Sequence, residues 1–216
     1  LMDQISKSEG SKLCLRRIPG RLVQTLRIID PSLVFTEDRR TFDYVYRAED
    51  LIKLAGRKFH AKRNHLHQFR RKYNWEFQRI DRAVLAEILG MEADWFNIKD
   101  VFSRDSSDEE KAMAMVINNY NYLGVTGGVI RVDGKIQAIT VGERLKADTA
   151  VIHIEKANTD YDGIYAAINQ QFAADFGSGF TFINREEDMG LEGLRKAKLS
   201  YQPVRLVEKY NIERNG

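Results

Sequence analysis

The stretch 149–184 constrains the fold more than any other part of the chain. A β-branched apolar run at 149–156 is followed by a helical stripe of Ile164, Ile168 and Phe172 within 162–176. A second short apolar run follows at 179–184. A strand–helix–strand unit of this kind places its two strands parallel in one sheet, joined by a right-handed crossover. The fold class expected is therefore α/β.

The segments before and after this unit extend the same pattern. Strands are expected at 75–80, 128–132, 135–141 and 203–209, with helices at 82–89 (reaching toward Phe96), 111–122 and 191–199. Asp133–Gly134 between two apolar runs reads as a tight hairpin turn. Ser106, Ser107, Asp108 and Glu109 form a capping-box signature ahead of the helix at 111–122.

The first block has a similar grammar. "GSKLCLRRI" at 10–18 resembles "GSGFTFINR" at 177–185, and each precedes a short helix, a proline (Pro31, Pro203) and a strand (33–35, 204–207). A further strand is expected at 42–46. The reading is half of a repeated domain, with two ordinary strand–helix segments as the alternative. The expected domains are 1–47, a connecting basic helix at 48–74, and a complete domain at 75–216. Leu1 is not an initiator, so the chain is expected to begin inside a longer protein.

With 216 residues, 43% of them hydrophobic and a formal net charge of +3, the chain can bury a core and is neither fibrous nor disordered. One cysteine, Cys14, excludes a disulfide framework and a thiolate-based zinc site, and no metal is expected. No apolar run approaches the roughly 20 residues that span a bilayer. A cytoplasmic location is expected, with peripheral association at the membrane as its extension.

Charge is unevenly spread. Within 47–73, Arg47, Lys53, Arg57, Lys58, Lys62, Arg63, Arg70, Arg71 and Lys72 stand against Glu49 and Asp50, so this segment is strongly positive and the remainder negative. Read as one helix, it carries Leu51, Ala55, Phe59, Leu66, Phe69 and Tyr73 on one stripe and Lys53, His60, Asn64, His67 and Arg71 opposite. Such a face is either a solvated connector or, over 53–72, a docking surface for phosphates of RNA, phospholipid or another anion. Lys62 falls inside the apolar stripe. It either extends its ammonium to solvent or points into a site.

Ligands of open α/β sheets bind beyond the carboxyl ends of parallel strands. Here those ends carry His153, Glu155, Lys156 and Asn158 on one strand and Asn184, Arg185, Glu186, Glu187 and Asp188 on the other. Strict alternation places Val151, His153 and Glu155 on one face. Acyl transfer needs a base, for which His153 or Glu155 is available. It also needs a cation for the oxyanion, for which Arg185, Lys156 or Lys62 is available. The catalytic candidates are His153, Glu155 and Arg185. The substrate-binding candidates are Lys62, Arg63, Asn64, Lys156, Asn158, Asn184, Glu186 and Glu187. Strand-end salt bridges are the alternative role for each. No P-loop, G-x-G-x-x-G or H-E-x-x-H motif occurs.

The segments "AGRKFHAKRNHLHQF" (55–69), "VIHIEKAN" (151–158), "INQQF" (168–172) and "FINREEDMGLEGLRKAKLSYQP" (182–203) resemble bacterial proteins related to the C-terminal domain of phosphatidylglycerol lysyltransferase. That group is similar to Fem-type aminoacyltransferases with two GNAT-like domains in tandem. The resemblance implies a GNAT-type mixed sheet flanked by helices, preceded by the C-terminal half of a second GNAT-like domain. It implies transfer of an aminoacyl group from a charged tRNA to a lipid or peptide amine or hydroxyl, with no cofactor required. GNAT enzymes that use acyl-CoA cradle its pyrophosphate on a glycine-rich loop. The matching loop here, 156–163, has one glycine and two aspartates, which disfavours acyl-CoA as donor. The alternatives are an acyl-CoA-dependent N-acyltransferase acting on a small amine and a non-catalytic anion-binding module.

Overall fold

The computed structural model describes residues 14–90 and 106–214. In chain order the elements are β1 (Cys14–Pro19), α1 (Val23–Ile29), β2 (Leu33–Glu37), β3 (Asp43–Arg47), α2 (Ala48–Lys53), α3 (His60–Lys72), β4 (Trp75–Arg79) and α4 (Arg82–Gly90). They continue with α5 (Ser106–Asn118), α6 (Tyr120–Leu123), β5 (Thr126–Val132), β6 (Lys135–Lys146), β7 (Thr149–Ala157), α7 (Ile164–Asp175), β8 (Phe182–Asn184), α8 (Glu192–Leu199), β9 (Arg205–Val207) and β10 (Lys209–Arg214). Residues 10–13 of the first expected strand, the expected extension of α4 toward Phe96 and the capping-box side chains lie outside the described residues.

The chain forms two compact units, residues 1–46 with 184–216, and residues 47–183. The division after Ile183 has no counterpart in the sequence reading. In the first unit β10 pairs antiparallel with both β1 and β2, and β3 pairs antiparallel with β9. The expected strand at 203–209 is thus a short β9, and β10 is an additional strand.

In the second unit the strand order is β4-β5-β6-β7-β8, with β8 ending at the division. β4 through β7 are joined antiparallel. Asp133 (φ 50°) and Gly134 (φ 78°) make the two-residue turn between β5 and β6, as the sequence predicts. The amides of Thr181 and Phe182 both donate to the Asp148 carbonyl, so β7 and β8 start side by side and run the same way, joined through α7. The parallel crossover expected at 149–184 is present.

One side of this sheet packs Val129, Ile136, Ile139 and Val141 against Val84, Leu85 and Ile88 of α4 and Met113 and Ile117 of α5. The other side carries α7, whose Ile164, Ile168 and Phe172 are almost fully buried. A Cβ on Gly142 would lie 3.3 Å from Phe172, so α7 seats directly over that glycine.

The basic segment is two helices rather than one. Leu54 adopts a left-handed conformation (φ 47°) and Gly56 a positive φ of 85°, which ends α2 before α3 begins. The helix-end carbonyls left by that break are taken up by side chains. Arg63 donates to the Leu54 and Gly56 carbonyls, and Gln170 of α7 donates to the Ile52 carbonyl at 2.9 Å. The apolar stripe persists across the break through buried Leu51, Phe59, Leu66 and Phe69, while Ala55 is exposed. On the opposite side Lys53, His60, Asn64, His67 and Arg71 are all exposed.

The turn into α7 is closed by α3. Gly163 has φ 86°, and a Cβ there would lie 2.4 Å from the His65 carbonyl oxygen and 3.1 Å from Phe69. Gly163→Ala is therefore expected to destabilise the protein by about 2 kcal/mol or more, from φ strain and the contact together. Urea unfolding measures it, and an unchanged midpoint would contradict this packing.

Candidate functional site

The strand tip expected to carry chemistry is interrupted by a β-bulge. Val141 pairs with Ile154 and Gly142 with Ile152, so His153 has no place in the ladder. An extra residue of this kind reverses the alternation beyond it. Ile152 lies opposite Gly142, on the side of α7, and Glu155 lies opposite Thr140 on that same side. Ile154 packs with the α4–α5 cluster on the other side. His153 pairs there through Nε2 with Glu143 Oε1 at 3.0 Å, and Glu143 lies opposite Val151. The sequence expectation that His153 and Glu155 share a face is corrected by the bulge.

Glu155 is half-buried and accepts a hydrogen bond from Asn169 Nδ2 of α7 at 3.0 Å. A carboxylate only accepts, so it fixes the orientation of the Asn169 amide and turns its carbonyl oxygen away. That oxygen is buried with no protein hydrogen-bond partner, as is Thr140 Oγ1 across the ladder from Glu155. Thr140 and Asn169 are both at 0% exposure. Unsatisfied buried polar atoms are scarce in native proteins and each costs about 1–3 kcal/mol.

Lys156, the next residue, is half-buried and pairs in register with Ile139. Asn158 builds the turn that follows. Its amide and side chain reach the Gln137 backbone and side-chain oxygens at 2.8 and 3.1 Å, and its Oδ1 accepts from the Asp160 amide at 3.0 Å. On α3, Lys62 is half-buried, Arg63 is committed to the carbonyls at the end of α2, and Asn64 contacts His60 along the helix at 3.4 Å. Several of the basic residues already have partners: Lys53 pairs with Glu49, Lys58 with Asp50, and Lys72 with Asp162.

The remaining candidates lie in the first unit and form one closely held loop. Asn184 donates to Asp43 at 3.1 Å and accepts from the Glu186 amide at 2.8 Å, which holds Glu186 at φ 53°. The Arg185 guanidinium lies over the rings of Tyr201 (4.9 Å) and Tyr46 (5.7 Å). Glu187 pairs with Arg17 at 2.7 Å and Lys209 at 3.5 Å. The buried ammonium of Lys198 holds the shape of this turn by donating to the carbonyls of Arg185, Glu186 and Glu187.

Asp188 closes the loop with a side chain at 0% exposure. It accepts from Arg39 (3.2 Å), Tyr44 (2.6 Å), Arg195 (2.8 and 3.1 Å) and the Gly190 amide (2.8 Å). Burial pushes this carboxyl up, and the hydrogen bonds from Arg195, Tyr44 and Gly190 outweigh it, lowering it from 3.8 to about 2.

Sequence reasoning does not single out Thr140, Glu143, Asn169 or Lys198 as site-forming. Two of them carry a visible signal. Asn169 adjoins the buried stripe of α7, and Lys198 falls four residues after Leu194 on the apolar side of α8. Among the described residues no cluster of histidine, cysteine, aspartate and glutamate is placed to hold a metal ion, and no helix is long and apolar enough to cross a membrane.

The sheet flanked by helices, with its parallel crossover, defines a protein of the α/β class that the sequence predicts. The chain belongs to the family described as phosphatidylglycerol lysyltransferase, C-terminal, which matches residues 2–213. A conserved protein of unknown function from Bacteroides thetaiotaomicron superposes with a TM-score of 0.92 at 40% identity, over 99% of this chain and 73% of that one. The C-terminal domain of a putative lysylphosphatidylglycerol synthetase from Agrobacterium fabrum shares the fold at a TM-score of 0.72 and 16% identity, over 100% of this chain and 71% of that one. An uncharacterised protein of Mycoplasmoides gallisepticum is 23% identical over 178 residues, which is 79% of this chain and 56% of that protein's length. The chain thus spans little more than half of that curated relative.

Replacing Asp188 by Asn leaves Arg39 and Arg195 without their shared buried anion, and a loss of about 3 kcal/mol at pH 7 is expected. The folded-state pKa is depressed, so the stability it contributes is complete above the ordinary carboxylate pKa and disappears as pH falls toward 2. That pH-dependent part, about 2 kcal/mol, should be missing from the variant's denaturation curves between pH 4 and 2. Equal pH dependence in both proteins would contradict the assignment.

Proposed function

We propose that the protein is an acyltransferase that moves an aminoacyl group from a charged tRNA to a lipid or peptide amine or hydroxyl. Family membership supports the reaction class. The observation that carries the site is the inward turn of Glu155 to α7, beside buried oxygen atoms of Thr140 and Asn169 that have no protein partner. In this reading Glu155 takes the proton of the acceptor nucleophile, which attacks the ester carbonyl of the donor. The developing oxyanion is met by Lys62, a half-buried cation of the same unit, whereas Lys156 pairs with Ile139 and lies on the opposite face of the sheet from Glu155. Collapse breaks the bond to the tRNA 3′-oxygen, which leaves with the proton that Glu155 returns.

The closed entry to α7 supports a donor other than acyl-CoA. The His65 carbonyl and Phe69 fill the space over Gly163, and Asp160 and Asp162 flank the turn. A pyrophosphate there would meet a carbonyl oxygen and carboxylates instead of open amides. The exposed cations of α3 and of the turn before it supply a surface for the tRNA backbone.

Arg57→Glu with Arg71→Glu tests the tRNA reading without disturbing Arg63, which holds the end of α2. Binding of charged tRNA should weaken at least roughly tenfold. The log–log salt slope should become shallower by about 0.7–0.9 for each phosphate the protein no longer neutralises. Unchanged, salt-independent binding would remove tRNA as donor. Glu155→Ala should lower transfer by about 10²–10⁴-fold with folding intact. A melting-temperature rise with acetyl-CoA and none with charged tRNA would favour the acyl-CoA alternative.

A further inference from the structure

Aromatic and basic residues are interleaved where α3 runs into β4, and 69–75 reads "FRRKYNW". The rings form a row that continues to Tyr161, in the turn between β7 and α7. Tyr73 and Trp75 lie 5.2 and 5.6 Å from Phe69, and Tyr161 meets Tyr73 edge-on at 5.1 Å. Phe69 is buried, whereas Tyr73, Trp75 and Tyr161 are half-buried, so the row reaches the surface. Two exposed cations lie over its rings, Lys72 over Tyr73 at 5.0 Å and Arg70 over Trp75 at 5.8 Å.

The Tyr161 end of the row is acidic. Asp160 and Asp162 flank Tyr161 and are exposed, and Asp162 pairs with Lys72 at 3.3 Å. Carboxylates repel a phosphate but not an uncharged ring, and they accept hydrogen bonds from ribose hydroxyls. Bases inside a duplex stack on one another, while an unpaired base has a face to offer an aromatic side chain. Tyr161 also lies beyond the carboxyl end of β7, where α/β sheets bind their ligands. We infer that Tyr161 and Tyr73 form a stacking platform for an unpaired nucleobase at the 3′ end of the donor RNA, with the preceding phosphates meeting the cations at the end of α3. The inference rests on the tRNA reading above and adds which part of that donor is held here.

The test compares binding of two uncharged tRNA transcripts, one intact and one lacking its unpaired 3′ nucleotides. The protein is expected to hold the intact form roughly 5–150-fold tighter. Tyr161→Ala should remove most of that difference and leave binding of the shortened form unchanged. Tyr161→Phe should preserve the difference, because the ring stacks and the hydroxyl does not. In a second measurement the single-stranded RNA tetranucleotide ACCA is titrated into the unaltered protein, and the Tyr161 ring resonances followed by NMR should shift saturably. Equal binding of both transcripts, or a Tyr161→Ala loss that is the same for both, overturns the platform and leaves tRNA as the donor. Unmoved Tyr161 resonances, or a Tyr161→Phe loss as large as that of Tyr161→Ala, also overturn it. Binding of neither transcript removes the tRNA reading and the platform together.

Discussion

The bulge at His153 decides what the end of β7 presents to each side of the sheet. Without it, Glu155 would follow Val151 and His153 toward the α4–α5 side. With it, the glutamate faces α7 and meets Asn169, while His153 stays with Glu143. One residue out of register converts a strand tip with two similar candidates into two separate environments. Bulges recur beside functional sites because they re-aim a side chain without altering the surrounding sheet.

The helices around that strand make the arrangement rigid. α7 is seated over Gly142 and closed at its entry by the α3 backbone at Gly163, so the position of Asn169 is set by packing that leaves no room for a side chain at either glycine. Arg63 and Gln170 in turn hold the broken end of α2. The basic segment therefore has a packing role on one side and an exposed cationic face on the other. Its residues divide between the two, with Arg63 in the first group and Arg57 and Arg71 in the second.

Local pattern made much of the fold legible. The crossover at 149–184, the Asp133–Gly134 hairpin and the stripes of α3 and α7 all follow from periodicity and turn chemistry, and the structure contains each of them. Features that depend on a distant partner were not legible. β10 exists because β1 and β2 border it, and the bulge is defined only against β6. The break at Leu54 had a local sign in Gly56, but its stability comes from Arg63 and Gln170. The site was legible as a polar strand end. The partners of its charges, Asn169 for Glu155 and Glu143 for His153, were not, because they belong to other elements.

A double-mutant cycle measured by urea unfolding tests the role of the bulge most directly. Coupling between Glu155 and Asn169 is expected at about 1–2 kcal/mol, with coupling between Glu155 and His153 near zero. Strong coupling of Glu155 to His153 and none to Asn169 would mean that the strand alternates without interruption, and that Glu155 does not face α7.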